Sequence, residues 1–387
     1  MILGIDASNI GGGGGVTHLK EIISSSDNLV NDYSIERIIV FSSKKVLDEI
    51  EDHEYLIKLT FPELNKGLLS RVVFQLFKYD KEIKERCDIL FSLTGDYIGK
   101  FHPVVGMSRN MLLYERNIWK EIKQPKEILR FWLNFKKQKR CFKNASGLIF
   151  ISKYAQEYAN KSLDIQRKLQ EIIPHGVSAQ FTGQVLEQKK LTSYTEENPF
   201  NFLYVSTVHV YKNQWNVVRA ISNLRKKGYP VTLTLVGGVI FEPAGQLLEE
   251  TINEVDPQNT FIFNKGHIPY QNISDEYKKA SGIIFASHCE NMPNILMESM
   301  ASGVPIVCSN KQPMPEFLKN NGFYFNPKEV ESIEKAIIEF LKQPEKRALM
   351  AHNNIKEIKN YTWEKTASET FSFISKVYIQ ITKNVQK

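Results

Sequence analysis

The sequence predicts an α/β protein made of two tandem units, each a parallel sheet covered by helices. Short β-branched runs alternate with longer segments of helical period, the pattern of parallel strands joined by crossover helices. The alternation runs twice and is broken once, by a polar stretch at 182–200 rich in Gln, Lys, Ser and Glu. A chain of 387 residues is about two to three times a typical single-domain length. Its 42% hydrophobic and 24% charged residues are ordinary for a globular chain and exclude wholesale disorder.

Residues 1–181 form the expected first unit, with strands at 2–5, 38–41, 89–91, 104–107, 148–151 and 171–173 and helices between them. Residues 182–200 read as a linker. The second unit, 201–360, has expected strands at 202–205, 231–236, 260–263, 282–286 and 305–307. No repeat aligns the two halves, so two Rossmann-like units share an architecture without a common motif. In the tail 361–387, Trp363, Ala367, Phe371, Ile374, Tyr378 and Ile381 fall on one face of a helix. Sheets of this type bind ligands outside the carboxyl ends of their strands. Chemistry is therefore expected in a cleft between the units.

Cys87, Cys141, Cys289 and Cys308 are scattered without a CxxC pair, which suggests neither a zinc site nor a disulfide framework and fits a reducing, cytoplasmic setting. The start, MILGIDASN, enters a strand directly and lacks the parts of a secretory signal. The most apolar stretches, such as 230–241, are too short and too broken to span a hydrocarbon core of ~30 Å. Much of the formal charge of +7 lies in residues 117–143, where nine Lys or Arg face two Glu among Trp119, Ile128, Leu129, Phe131, Trp132, Leu133 and Phe135. Such a helix suits either peripheral contact with the anionic inner face of a membrane or packing of its aromatics on its own unit. Nucleic acid is not expected, since no recognition module accompanies the charge.

The glycine run Gly11–Gly15 follows the first strand and precedes a helical segment at 16–23. Glycines there, Gly14 and Gly15 included, let backbone N–H groups approach an anion at a helix N-terminus; a flexible strand-to-helix turn needs the same residues. A stronger signal is Glu290 to Gly303, where two carboxylates stand across an expected strand-loop-helix junction. Pro293 suits the first helical turn and Gly303 the position past its end. Glu290 then lies in the loop and Glu298 about a turn and a half into the helix, with the amides near Asn291 and Met292 at its positive end. The parts match a sugar nucleotide: a carboxylate for ribose hydroxyls, a helix N-terminus for diphosphate, and a carboxylate for hexose hydroxyls.

This junction resembles the E-x7-E signature of the retaining GT-B glycosyltransferases, group 1, also called family 4. The likeness extends from about Phe202 through Pro327, through FLYVSTVHVYKNQWNVVRAI, LTLVGG, KGHIPYQNISDEYKKASGIIFAS and PIVCSNKQPMPEFLKNNGFYFNP, in family order. IIPHGV at Ile172 to Val177 and the early glycine run are similar too. The resemblance implies a GT-B fold with a deep interdomain cleft and a C-terminal helix that crosses back to the first unit. It also implies retaining transfer of a hexosyl group from a UDP- or GDP-sugar to a saccharide or lipid-linked saccharide, in polysaccharide or lipopolysaccharide assembly.

By the same resemblance Glu298 holds the donor ribose, Glu290 the donor sugar and Lys212 the leaving diphosphate. The family usually carries an Arg five residues before this Lys; here the position is Thr207, so clamping of phosphate falls to Lys212 with Ser206, Thr207 or Asn213 assisting. Arg109 and Asn110 stand where many relatives have a His, and Asn110 is placed to hydrogen-bond the transferred sugar or the acceptor. It is no general base near neutral pH, and in a retaining reaction the leaving phosphate can accept the acceptor's proton. Glu316, in MPEF, resembles a position near the donor pocket, or is a helix N-terminal charge. No DxD, HxxxH or HExxH element is present, so neither a metal nor another cofactor is expected. The alternatives are a sugar-nucleotide epimerase on the same fold and a noncatalytic sugar-nucleotide-binding or membrane scaffold protein.

Overall fold

The computed structural model describes residues 1–385 and divides them into two compact units. The first is formed by Met1–Tyr114, Lys123–Gly176 and the tail from Tyr361; the second by Glu115–Ile122 and Val177–Asn360.

Among the described residues the first unit's sheet has seven strands: β1 (Ile2–Asp6), β2 (Arg37–Phe41), β3 (Leu56–Leu59), β4 (Ile89–Ser92), β5 (Val104–Ser108), β6 (Gly147–Phe150) and β7 (Leu169–Ile172). Their order is β3-β2-β1-β4-β5-β6-β7, and every pairing is parallel. The central strands are almost wholly buried because helices cover both faces, which is why their largely apolar sequences stood out as short runs. Sequence reading missed β3: its residues are only half-buried at the sheet edge, and Lys58 interrupts the run.

The second unit's sheet has six strands among the described residues, β8 (Phe200–Val205), β9 (Val231–Val236), β10 (Ile262–Asn264), β11 (Gly282–Phe285), β12 (Ile306–Ser309) and β13 (Phe323–Phe325). They run parallel in the order β10-β9-β8-β11-β12-β13. The three-residue edge strand β13, Phe-Tyr-Phe, was also unread: it has no β-branched residue and is too short to show a period. In each sheet the loops after the central strands gather at one end; in the second unit that end carries Lys212 and Glu290.

Residues 117–143 do not form one helix. They divide into Arg116–Ile122, which belongs to the second unit, and Pro125–Asn144, which belongs to the first. The break has a local cause: Pro125 drives Gln124 into extended backbone, and Lys123 takes a left-handed φ of 53°. Within Pro125–Asn144, Phe131, Phe135, Cys141 and Phe142 are buried, so part of the aromatic content serves the unit's own core.

The C-terminal helix, Trp363–Val385, packs within the first unit on helix Gly14–Ser24, β4 and β6. Trp363 stacks with His18 and His175, at ring separations of 5.7 and 5.5 Å. The polar stretch 182–200 is fastened to the second unit. Gly183 N–H donates to Ala301 O at 3.0 Å, and the buried guanidinium of Arg347 donates to Lys189 O and Gln188 Oε1 at 2.7 and 3.0 Å. No helix among the described residues is long and apolar enough to cross a membrane.

Gly303 follows helix Asn294–Ala301 with φ +74°, a conformation costly for L side chains, and an added Cβ would stand 2.8 Å from the Gln184 backbone. Gly303→Ala is expected to lower stability by about 1–3 kcal/mol in urea unfolding. A change within experimental error would mean that this junction tolerates a different path.

Candidate functional site

In the second unit, the loops after β8 and β11 are sewn together by side chains. The loop after β8 tightens into a 3-10 turn, Val210–Lys212, opened by His209, whose Nδ1 accepts from Val210 N–H at 2.9 Å. Asn213 ends the turn in the left-handed region, φ 53°, where Asn is tolerated better than most residues. Its Nδ2 donates to Ala286 O, just past β11, at 2.8 Å and lies 2.8 Å from His288 Nδ1. His288 N–H returns a bond to Tyr211 O at 2.9 Å, and the Tyr204 phenol donates to Lys212 O at 2.5 Å.

This bracing presents Lys212 to Glu290. Lys212 Nζ meets Glu290 Oε1 at 2.5 Å, with side chains 7% and 15% exposed. The ammonium also lies 5.1 and 5.6 Å from the ring centroids of Tyr211 and Phe285. A charge pair so little hydrated is held by geometry more than by net free energy, since desolvation offsets much of the attraction. Its value is a cation and an anion fixed side by side at the mouth of the sheet.

Glu298 is in the opposite state. It is the fifth residue of helix Asn294–Ala301, 8% exposed, and makes no ion pair among the described residues. The Tyr270 phenol donates to its Oε1 at 3.0 Å. Burial pushes the carboxyl up to about 8, against the smaller opposing effect of the Tyr270 bond. The two glutamates eight positions apart thus differ in kind: one is an ion-paired carboxylate, the other a buried acid held by a phenol.

Asn291 and Met292 are buried immediately before that helix, at its positive end. Pro293 stands one place earlier than expected, at the cap, with its carbonyl accepting from Met297 N–H at 3.1 Å. After β8, Ser206 is buried and its hydroxyl has no hydrogen-bond partner among the described residues. Thr207 is exposed, and its carbonyl accepts from Gln214 Nε2 at 3.0 Å. Asn213, one of the expected phosphate assistants, has its amide committed to the bracing described above. Glu316 is half-buried in the short helix Met314–Leu318 that follows β12.

Two partners escaped sequence reading. Tyr270 lies 28 residues from Glu298 with no spacing that would flag it. Glu121 comes from the segment that crosses into this unit; its Oε2 lies 3.2 Å from His288 Nε2 and its Oε1 accepts from Lys328 Nζ at 2.5 Å. Burial opposes ionisation of Glu121, yet His288 and Lys328 together hold its carboxyl below the usual range.

Gly14, Gly15 and Asn110 belong to the first unit. The helix begins at Gly14, earlier than expected, after Gly13 with φ 62°. Arg109 Nη2 donates to Gly14 O at 2.6 Å, so the loop after β5 is tied to the glycine run. Asn110 is exposed, and its Oδ1 caps the 3-10 turn Met111–Leu113 by accepting from Leu112 N–H at 3.0 Å. Its carbonyl is thereby committed, which leaves the amide NH2 as the group able to meet a ligand. Among the described residues no group of three His, Cys, Asp or Glu is placed to hold a metal ion.

Residues 187–357, which contain Lys212, Glu290 and Glu298, match the family model of glycosyl transferases group 1. The O-antigen chain mannosyltransferase B of Escherichia coli is 25% identical over 173 residues, 44% of this chain and 44% of that protein. The match thus spans less than half the length of this curated relative. Over the whole chain, sucrose-phosphate synthase from Thermosynechococcus elongatus superposes with a TM-score of 0.75 at 15% identity, covering 99% of this chain and 100% of that one. HepE of Anabaena, solved with UDP and glucose, gives 0.68 at 17% identity, covering 100% and 99%. These likenesses, with the two parallel sheets, show an α/β fold of two units of the GT-B type.

Proposed function

We propose that the protein is a glycosyltransferase that moves a hexosyl group, with retention, from a nucleotide-sugar donor held by the second unit to a saccharide or lipid-linked saccharide in polysaccharide assembly. The observation that carries this reading is the Lys212–Glu290 pair formed by the loops after β8 and β11, with the buried acid Glu298 in the helix that follows the second loop. The group 1 match over the same residues and the O-antigen relative support it. UDP in a neighbour of the same fold supports a nucleotide-sugar donor.

In this reading each residue acts as its surroundings allow. Glu298 accepts hydrogen bonds from the ribose hydroxyls, which favours the carboxylate and releases the proton that burial retains. Glu290 accepts from hydroxyls of the donor sugar. Lys212 faces the diphosphate and stabilises charge as the bond from the anomeric carbon to phosphate oxygen breaks. The acceptor oxygen bonds that carbon on the same face, and its proton passes to the leaving phosphate. No protein base is then needed, and catalysis is positional and electrostatic. The buried Ser206 hydroxyl is a better second phosphate contact than Asn213, whose amide is already engaged. Asn291, Met292 and Glu316 line the donor side, while Gly14, Gly15 and Asn110 serve the sugar or acceptor from the first unit.

A thermal-shift panel of UDP, GDP, ADP and CDP with their common sugars tests the reading. A ligand at ~100 times its Kd stabilises by ~2.7 kcal/mol, which one base family should show. No shift with any of them would remove the nucleotide-sugar donor from the proposal.

A further inference from the structure

Helix Leu68–Phe77 of the first unit presents an apolar row outward. Its inward positions include Phe74 and the amide Gln75, whose Nε2 donates to the Ser8 hydroxyl at 2.9 Å. Val73, Leu76 and Phe77, spaced i, i+3, i+4, are 55%, 53% and 80% exposed. A surface helix normally turns such a row toward the core. Single exposed apolar residues need no explanation; a contiguous row ending in a nearly bare Phe does.

Helix Pro125–Asn144 continues the pattern with a different ending. Leu129, Trp132 and Leu133 are exposed, and Lys136, Arg140 and Lys143 extend the same outward face toward its C-terminus. Lys136 Nζ sits 5.2 Å from the Trp132 ring centroid. Arg130 pairs with Glu127 at 2.5 Å, whereas Lys136, Lys139, Arg140 and Lys143 make no ion pair among the described residues.

Both helices are seated on the same end of the first sheet. Gln75 holds Ser8, after β1; Gln138 Nε2 holds Thr94 O, after the adjacent parallel strand β4, at 3.3 Å. Asn9 Nδ2 joins the two loops by donating to Asp96 Oδ2 at 2.6 Å.

We propose that these two helices form a membrane-docking face. Val73, Leu76 and Phe77 enter the boundary between headgroups and acyl chains, Trp132 lies at headgroup level, and Lys136, Lys139, Arg140 and Lys143 meet lipid phosphates. The charge selects this occupant: cations without carboxylate partners beside apolar and aromatic side chains complement an anionic bilayer. The inference stands apart from the donor site, because it needs neither nucleotide nor sugar. Joined to the proposed transfer, it commits the acceptor to one carried by lipid.

The test is co-sedimentation of the full chain with phosphatidylcholine vesicles, with and without phosphatidylglycerol, at low and high salt. Binding is expected on anionic vesicles, weaker on neutral ones and weakened by salt. Leu76→Ser/Phe77→Ser should reduce partitioning at least about tenfold. Lys136→Gln/Arg140→Gln should reduce it about tenfold or more on anionic vesicles and leave neutral ones unchanged. All four positions are exposed, so both variants should retain the wild-type melting curve. Wild type left in the supernatant with anionic vesicles, or both variants sedimenting like wild type, would overturn the proposal. So would a wild-type dimer without vesicle binding that Leu76→Ser/Phe77→Ser converts to monomer, since the face would then cover a second copy. A nucleotide thermal shift on the same preparations reports the donor site independently.

Discussion

Glu298→Gln is expected to weaken nucleotide binding about a hundredfold or more while making the ligand-free protein more stable at alkaline pH. The loss follows from the proposed role: two ribose hydroxyls donating to a carboxylate are charge-assisted bonds of about 1.5–3 kcal/mol each, and a neutral amide cannot replace both. The gain follows from burial. The carboxyl titrates near 8 in the folded chain against about 4.3 when unfolded, so the folded state binds the proton more tightly. Stability from this group is fully present below about pH 4.3 and is lost as pH rises through 8. The amide carries no such loss. The melting temperatures of variant and wild type should converge near pH 4 and separate by several degrees at pH 8.5, in favour of the variant. Asp6, buried and raised to about 6, titrates in both proteins and cancels in the comparison. Wild-type nucleotide affinity should rise with pH up to about 8, because the ligand selects the carboxylate. Flat affinity from pH 6 to 8.5, or wild-type affinity in the variant, would take the ribose contact away from Glu298.

The second large effect belongs to Lys212. With Lys212→Ala, kcat should fall about 10²–10³-fold, the usual cost of removing one group that stabilises developing charge, with a smaller change in donor KM. The variant also strands Glu290 as a little-hydrated carboxylate without its cation, which should cost about 3 kcal/mol of stability. Lys212→Met/Glu290→Gln separates the two consequences. Removing both charges should restore much of the melting temperature, while activity stays lost. Recovery of kcat in the double variant would show that Lys212 serves the fold and not the leaving group.

Much of this architecture could be read before any coordinates. The central strands β1, β4, β5, β8, β9 and β11 are buried on both faces, so their sequences are rich in apolar and β-branched residues and were easily seen. The Glu290 to Gly303 junction was legible because helix ends obey local rules: a Pro next to the start and a left-handed Gly past the end. The strands that failed, β3 and β13, sit at sheet edges, where half-exposed or very short runs carry little pattern.

Residue types, order and spacing determined the fold class and set Glu290 in the loop before a helix, Glu298 inside that helix and Lys212 after the second unit's first strand. Tertiary structure alone decided their electrostatic states. Lys212 and Glu290 are 78 residues apart, and only the adjacency of β8 and β11 with the Asn213 brace turns them into a pair. Glu298 is one helix turn from the same loop, yet packing gives it a phenol and no cation, and desolvation keeps its proton. The basic stretch 117–143 was likewise divided by folding, through a left-handed Lys123 and the restriction Pro125 places on Gln124. Composition sums charge over a segment; only packing decides which charges share a face and which are left without water.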